Sequence, residues 1–418
     1  MQRQRVASLA EVLLGPAVVK SYKRGTHRTT TPENTLARVA PIAQQIGITR
    51  VGNVTGLDRI GIPVTVAVRP NSRSFSVSQG KGLLLSEALA SATMEAIELF
   101  HGEYLRERAI VASYRQLSAA SRTVSPASLC GTGLPLPEQT EIAWIEGYDL
   151  FGSEACWVPW EVVHTDYTLP TSHSGENLLS GTNGLASGNH LSEAISSAIC
   201  ELVERDAVAL WHARDIRARS RCRLDLASVT DEDCRSLFET YDKAGITPRL
   251  WNITSDIGIP AFICDIPAPT EDPSVALRRF RGAGCHPSRA VALARAMTEA
   301  AQTRLTYIAG IRDDLHDYSE SSKDKLGAAL LDAMSEAAPP GAFEDIPNHD
   351  ADDVLVDVRW ELECLRAAGV KAAIAVDLTR PEFGIPVVRM VVPGLEWDCT
   401  HPHYVPGRRA LQASGRTE

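Results

Sequence analysis

Long stretches rich in apolar residues predict three helices. Ser86–Tyr104 contains many Ala and Leu residues and no Pro, and Leu191–Ala213 has the same character. A third stretch of this kind runs from about Ala290 to Tyr307. A shorter helix is predicted over Leu36–Gly47, because the Thr-Pro pair before it supplies a capping hydroxyl and a proline that the first turn accepts.

Short apolar segments between these helices predict strands. They are Pro63–Val68, Ala143–Gly147, Cys156–Val163, Leu250–Asn252, Ala261–Asp265, Ala372–Asp377 and Val387–Val392. The second and third of them bracket the turn Phe151-Gly152-Ser153 and indicate a hairpin. A loop rich in Ser, Gly and Asn, Thr171–Asn189, precedes the second long helix. This mixture of strands and helices predicts an α/β or α+β architecture.

Composition and charge exclude several classes of protein. The 418 residues are 44% hydrophobic and 22% charged, which is typical of a globular chain that can bury a large core. The net charge of −10 argues against a nucleic-acid partner bound through a basic surface. No apolar stretch approaches the length of a membrane span, and the nine cysteines contain no C-x-x-C pair. We therefore expect a cytoplasmic protein without a zinc site, a disulfide framework or a membrane partner.

An internal repeat with an offset of 106 residues is the most informative pattern in the chain. The segment GLLLSEALASATMEAIE at Gly82–Glu98 aligns with GNHLSEAISSAICELVE at Gly188–Glu204, and nine of the seventeen positions are identical. The offset is much longer than the period of solenoid repeats. The repeat therefore predicts one loop–helix unit that is duplicated within a single domain.

Each repeat unit carries two glutamates that share a helix face, Glu95 with Glu98 and Glu201 with Glu204. If an approximate two-fold axis relates the units, the four carboxylates converge and need cations, and oxygen ligands of this kind select Mg²⁺ or Ca²⁺. Mg²⁺ held by few carboxylates takes phosphate oxygens and water as its other ligands, so the pattern predicts a nucleotide. The competing interpretation is a solvated helix face, but the neighbouring residues are apolar and burying unpaired carboxylates is costly.

The third long helix carries a variant of the same pattern. With a shift of 204 residues, Arg295 aligns with Ser91 and Glu299 aligns with Glu95. One interpretation is a simple ion pair between residues i and i+4. The alternative is that Arg295 contacts a phosphate group while Glu299 supports the metal or the ribose.

Two glycine-containing segments precede the repeated helices. Gly80-Lys81-Gly82 and Gly184–Asn189 are expected to be loops, and the free N–H groups at the following helix starts would favour an anion. Neither segment matches the Walker A sequence or the Rossmann G-x-G-x-x-G sequence. A phosphate site here would therefore be of a different kind.

Taken in order, these segments resemble the YcaO family. The matching signatures are SATMEAIE, EAISSAICELVERD and RAMTEAAQTR, and the similarity extends from Lys23 to Arg304. The resemblance implies one YcaO-like domain over residues 1–418, with core motifs in 23–304, duplicated loop–helix units around a central ATP site, and a region 350–418 that completes the fold. It implies that Mg²⁺ is held by Glu95, Glu98, Glu201 and Glu204. It also implies ATP contacts from Arg28, Thr35, Lys81, Ser91, Asn189, Glu193, Arg205, Arg295 and Glu299.

Members of the family are expected to use ATP to phosphorylate the oxygen of a peptide-backbone amide after a nucleophile adds to the carbonyl. A Cys, Ser or Thr side chain then gives an azoline, external sulfide gives a thioamide, and an amine gives an amidine. The segments Val392–Glu396 and Pro406–Ala410 look like members that form thioamides with a TfuA-type partner, and a P-x-P-x-P tail typical of azoline-forming members is not seen. The resemblance thus favours thioamide formation first and azoline formation second.

A third hypothesis belongs to a different class of function. A YcaO-like scaffold could bind ATP or peptide during the maturation of another protein without catalysing a reaction. The complete set of four glutamates together with Arg205 and Arg295 argues against this hypothesis. The expected partners are a peptide or protein substrate, a TfuA-like protein and a second copy of the chain in a homodimer.

Overall fold

The computed structural model describes residue 9 and residues 11–105, 109–168, 177–267, 279–310, 330–336 and 340–416. The helices are α1 (Pro32–Gln45), α2 (Leu85–Glu103), α3 (Tyr114–Ser118), α4 (Leu191–Ala213), α5 (Ile216–Ser220), α6 (Glu232–Lys243), α7 (Arg289–Ala309), α8 (Val354–Ala367) and α9 (Arg408–Ala413). The strands are β1 (Arg50–Asn53), β2 (Val64–Val68), β3 (Val77–Lys81), β4 (Ile110–Ser113), β5 (Glu141–Asp149), β6 (Glu154–Pro159), β7 (Leu185–Ser187), β8 (Arg249–Asn252), β9 (Ala261–Pro267), β10 (Arg279–Cys285), β11 (Ile374–Asp377) and β12 (Val387–Val391).

These strands form three sheets within the described ranges, and all of their pairings are antiparallel. Two sheets have three strands each, in the orders β1-β2-β3 and β10-β9-β8. The third has the order β4-β5-β11-β12-β7, with β6 paired to β5 as the predicted hairpin. Antiparallel sheets with helices packed on them give an α+β fold, one of the two architectures that the sequence predicted.

A strand–turn–helix unit occurs three times in the chain. The strands end at Lys81, Ser187 and Cys285, and after three residues in each case the helices begin at Leu85, Leu191 and Arg289. The repeat seen in the sequence is therefore also a structural repeat, and the third helix belongs to it in the register that the 204-residue shift predicted.

The two segments that were expected to be loops are partly strands. Gly80 and Lys81 are the last residues of β3, and Leu185–Ser187 form β7 within the predicted loop Thr171–Asn189, of which residues 171–176 lie outside the described ranges. For both segments this expectation was wrong, and in the first of them glycine serves helix packing instead of a turn. A Cβ atom at Gly80 would lie 2.0 Å from the carbonyl oxygen of Ala88, so the helix backbone can approach the strand only at glycine.

The six-stranded sheet lies between two hydrophobic cores. Helices α4 and α8 cover one face, with Ile195, Val203, Val358, Leu362 and Met390 buried between them. Helices α1 and α2 cover the other face, with Val39, Ile97, Val376 and Val387 buried there. None of the helices in the described residues combines the length and the apolar character needed to cross a membrane.

Candidate functional site

The short strand β7 holds one glutamate from each of the two helices that flank it. The backbone N–H and the hydroxyl of Ser187 donate to Glu98 Oε2 of α2, at 2.7 and 2.8 Å. The backbone N–H of Gly184, directly before the strand, donates to Glu201 Oε2 of α4 at 3.1 Å. These bonds fix one carboxylate of each repeat unit on the same piece of backbone.

The glutamates are close enough for each charge to act on the others. Burial raises the pKa of Glu98 to about 8, and the charges of Glu95 and Glu201 raise it further. Burial also raises the pKa of Glu201 to about 7 against the opposing effect of Arg205, with Glu204 adding to the rise. Burial, followed by the charge of Glu299, raises the pKa of Glu204. This cluster of carboxyl groups therefore favours a bound cation.

Positive side chains from two of the units border the cluster. Arg205 lies 3.6 Å from Glu204 and 3.9 Å from Glu201. Lys81, at the end of β3, forms an ion pair with Glu299 of α7, and Glu299 also accepts a hydrogen bond from the backbone of Ala283 at 3.2 Å. The predicted site residues Lys81 and Glu299 therefore meet although 218 residues separate them in the chain.

Two arginines lie together in a cavity next to these groups. Arg28 and Arg295 line it with Glu193 and the buried rings of His27 and His286. Arg28 donates to the carbonyl oxygen of His27 at 2.9 Å, and the buried Nε of Arg295 has no hydrogen-bond partner within the described residues. Burial lowers the pKa of Arg28, Glu193 opposes this, and the charge of Arg295 lowers it further. Such a pair of like charges is suited to bind an anion.

Glu193 organises the backbone at one end of this cavity. Its carboxylate accepts hydrogen bonds from the backbone N–H groups of Thr29 and Asn189, the latter at 2.7 Å. The hydroxyl of Thr35 contacts the Asn189 side-chain oxygen at 3.2 Å, and Arg38 donates to the Asn189 carbonyl at 2.9 Å. Sequence reasoning missed Arg38, although it lies three residues after Thr35 on the same helix.

The equivalent glutamate of the first unit, Glu87, also bonds to backbone donors. Its Oε2 accepts from the N–H groups of Leu83 and Leu84, at 2.6 and 3.1 Å. The expectation that free N–H groups before the repeated helices bind an anion is therefore wrong for these residues, because the chain's own carboxylates occupy them. Ser91, the remaining predicted contact, is exposed on α2 one turn before Glu95.

The residues of the site fit a divalent cation bound together with an anionic ligand. Among the described residues, no group of three or more His, Cys, Asp or Glu side chains is already arranged to hold a metal ion. Carboxyl groups with raised pKa values are stabilised in their charged form when a cation is nearby, and arginines without carboxylate partners suit phosphate oxygens. Mg²⁺ bound with a nucleotide would satisfy both groups at once.

Comparison with known proteins identifies the family. The sequence model of a family described as "YcaO cyclodehydratase, ATP- and Mg2+-binding" matches residues 79–396. The chain belongs to the YcaO family, whose ligands are ATP and Mg²⁺. The matched region contains the four glutamates, Arg205 and Arg295, whereas Arg28 and Thr35 precede it.

Similar proteins occur in bacteria and archaea. A Rhizobium leguminosarum bv. trifolii protein named for the tfuA 3′ region is 35% identical over 398 residues, which are 92% of each chain. A Methanothermobacter thermautotrophicus protein is 33% identical over 392 residues, which are 90% of this chain and 97% of that one.

Two solved structures have the same fold as this chain. A heterocyclase in complex with substrate and cofactor superposes with a TM-score of 0.75 at 24% identity, over 92% of this chain and 54% of the heterocyclase. This chain thus spans about half of that protein. YcaO from Methanopyrus kandleri, bound with AMPPCP and Mg²⁺, superposes with a TM-score of 0.73 at 23% identity, over 93% and 98% of the two chains. These likenesses confirm the predicted YcaO-like fold.

Binding of Mg²⁺ should depend on pH in a defined direction. If Glu98 and Glu201 hold Mg²⁺ as the resemblance implies, these groups, with pKa values of about 8 and about 7, must lose protons to bind it, so the affinity should rise from about pH 6 to about pH 8. Calorimetric titration with Mg²⁺ and a non-hydrolysable ATP analogue, in buffers of different ionisation enthalpy, should show proton release at pH 7. An affinity that is independent of pH, with no proton release, would contradict this assignment.

Proposed function

We propose that this chain uses ATP and Mg²⁺ to activate a peptide-backbone amide and, with a TfuA-type partner, converts it to a thioamide. The observation that carries the choice of product is the relative named for the tfuA 3′ region, which is similar to this chain over 92% of both lengths. Membership of an ATP- and Mg²⁺-binding cyclodehydratase family supports the activation step.

The proposed roles are those that the family resemblance implies, and the positions of several of the side chains support them. The glutamates of α2 and α4 hold Mg²⁺; they are Glu95, Glu98, Glu201 and Glu204. Backbone donors at β7 and directly before it hold two of them, Glu98 and Glu201. ATP, when bound, supplies the phosphoryl group that makes the amide oxygen a leaving group. The positive side chains that bind its phosphates are Arg28, Lys81, Arg205 and Arg295. The residues that shape the pocket are Thr35, Ser91, Asn189, Glu193 and Glu299.

The proposed reaction balances with sulfide as the nucleophile. The sulfur adds to the amide carbonyl carbon, the amide oxygen leaves as phosphate, and the S–H proton ends on that phosphate. One amide, one hydrosulfide ion and one ATP therefore give one thioamide, one ADP and one hydrogen phosphate ion. Positioning of the phosphates by preorganised arginines is the contribution that the protein itself makes to this transfer.

Azoline formation is the second candidate. The family description and the likeness to a heterocyclase favour it. It uses a Cys, Ser or Thr side chain of the substrate in place of external sulfide. A third candidate, a scaffold that binds ATP or peptide without turnover, is disfavoured by the complete set of carboxylates and arginines.

Mass spectrometry of the peptide product should distinguish these candidates. The full-length chain, a TfuA-type protein, ATP, Mg²⁺, sodium hydrosulfide and the candidate peptide should give a product in which sulfur replaces one oxygen, with phosphate released in equal amount. Loss of one water without sulfide would support azoline formation instead. ATP that binds without turnover, for all candidate peptides, would support the scaffold.

A further inference from the structure

A buried arginine outside the family's signature segments has no partner for its guanidinium group. Arg389 on β12 is 1% exposed, and its three side-chain nitrogens have no hydrogen-bond partner in the part of the chain that the structure describes. The hydroxyl of Tyr167 is also buried without a partner there. Burial lowers the pKa of Arg389 to about 10, with Tyr167 and Glu201 opposing it, so the group is charged at neutral pH. A buried, unpaired charge of this kind is costly unless it has a ligand.

Strand pairing places Arg389 next to the backbone that holds the glutamates. Arg389 lies opposite Leu185 of β7. The backbone N–H of Gly184, one residue before Leu185, donates to Glu201. The backbone N–H of Ser187, two residues after Leu185, donates to Glu98. Opposed residues of an antiparallel pair project to the same face of the sheet. The guanidinium therefore projects to the Leu185 face of β7, beside the strand that orients the carboxylates.

The acidic side chains whose charges act on Tyr167 or Arg389 are engaged with other groups. Glu103 forms a buried ion pair with Arg69 at 2.6 Å, and Glu161 faces His164 at 3.4 Å. Glu201 accepts the backbone hydrogen bond from Gly184, directly before β7, and belongs to the proposed metal site. No carboxylate in the described ranges forms an ion pair with the guanidinium, so this part of the chain leaves its charge without a counterion.

The surroundings indicate which kind of anion would bind. Arg389 supplies a single positive charge and Tyr167 a single hydroxyl donor. The side chains on the same face of the sheet are apolar, namely Leu185, Val387 and Val391, each at most 6% exposed. A phosphate group carries more charge and needs more donors than these two groups provide. A small, weakly hydrated ion with one negative charge matches one cation, one hydroxyl and apolar neighbours.

We propose that Arg389 and Tyr167 form a binding subsite for hydrosulfide, the nucleophile of the reaction. This inference rests on the proposed thioamide-forming function. It adds the position at which the sulfur nucleophile is bound before it attacks the amide carbonyl. Arg389 lies on the strand next to β7, whose backbone, with Gly184 before it, holds Glu201 and Glu98, so the anion is held beside these glutamates.

Direct binding to the full-length chain tests the subsite without peptide, ATP or partner. Calorimetric titration with sodium hydrosulfide under anaerobic conditions should show saturable binding that thiocyanate, a second weakly hydrated monoanion, displaces. The Arg389→Met substitution keeps most of the volume but removes the charge, and it should weaken hydrosulfide binding by roughly tenfold or more. Tyr167→Phe removes only the hydroxyl and should weaken binding several-fold.

Thermal stability separates a ligand-binding role from a structural one. Arg389→Met should melt at the same temperature as the native chain or higher, because it removes an unpaired buried charge. Arg69→Met is the matched control, since that arginine is equally buried but paired with Glu103, and it should melt at a lower temperature.

Three results would overturn the subsite. They are an absence of saturable hydrosulfide binding by the native chain, unchanged binding by both Arg389→Met and Tyr167→Phe, and a loss of stability in Arg389→Met as large as in the control. Because binding is measured without turnover, a failure here is distinct from a failure to form the thioamide product.

Discussion

Replacing Glu98 or Glu201 with Gln should reduce Mg²⁺-dependent ATP turnover by roughly 100-fold or more, about 3 kcal/mol in the activation barrier. Each carboxylate is held by a backbone donor in β7 or directly before it, so the amide would occupy the same position without the charge that is proposed to bind the metal. Turnover should be measured as peptide-dependent phosphate release, and Mg²⁺ affinity by titration with a non-hydrolysable analogue.

The same substitutions should stabilise the metal-free protein at neutral pH. The folded state keeps a proton on Glu98 up to about pH 8, whereas the unfolded chain releases it near the ordinary value of 4.5. Stability of the metal-free protein therefore falls as the pH rises between these values, and an amide, which does not titrate, removes this loss. A gain of about 1–2 kcal/mol in the free energy of unfolding at pH 7 is expected, after allowing for solvent screening.

Glu103→Gln provides the matched control on the same helix. Glu103 is buried and pairs with Arg69 at 2.6 Å, so its loss should lower the melting temperature while Mg²⁺ affinity is retained. The assignment would be contradicted if Glu98→Gln and Glu201→Gln retained full Mg²⁺ affinity, or if they lost stability as the control does.

The repeat shows how much of this site the sequence could predict. Identical residues at an offset of 106 were sufficient to align α2 with α4, and both helices begin where the alignment requires. Glu98 and Glu201 followed from that alignment because helical spacing is a local property. The third strand–turn–helix unit was predicted by the same reasoning, because the shift of 204 residues aligns Glu299 with Glu95.

Contacts that depend on strand pairing were not predictable in this way. Ser187 lay in a segment read as a loop, and its role as a donor to Glu98 appears only when β7 is placed between two helices. The strand β10 was missed because its sequence, RFRGAGC, contains glycines that usually weaken strands. Arg389 lies in a predicted strand, but only the pairing of β12 with β7 brings it near the glutamates.

Replacing Arg295 with Ala should cost about 2–4 kcal/mol in nucleotide-dependent rate, which is the scale of losing one preorganised charge contact in phosphoryl transfer. Arg295 and Arg28 lie in the same cavity, and the described residues offer neither of them a carboxylate ion pair. Phosphate oxygens are the ligands that a planar guanidinium binds with two parallel hydrogen bonds. Arg295→Lys, which keeps the charge but loses this geometry, should show an intermediate rate.

The fold should survive the loss of Arg295, because no ion pair is broken and the repulsion with Arg28 is removed. Arg289, at the start of the same helix, is the control: it donates to the carbonyls of Glu344 and Ile346 and lies over the ring of Phe343. Arg289→Ala should therefore lose stability by about 1 kcal/mol and keep its affinity for ATP. Titration with ATP and measurement of phosphate release for both variants decide between the roles. Unchanged ATP affinity and rate in a folded Arg295→Ala protein would mean that the phosphates bind elsewhere in the cavity.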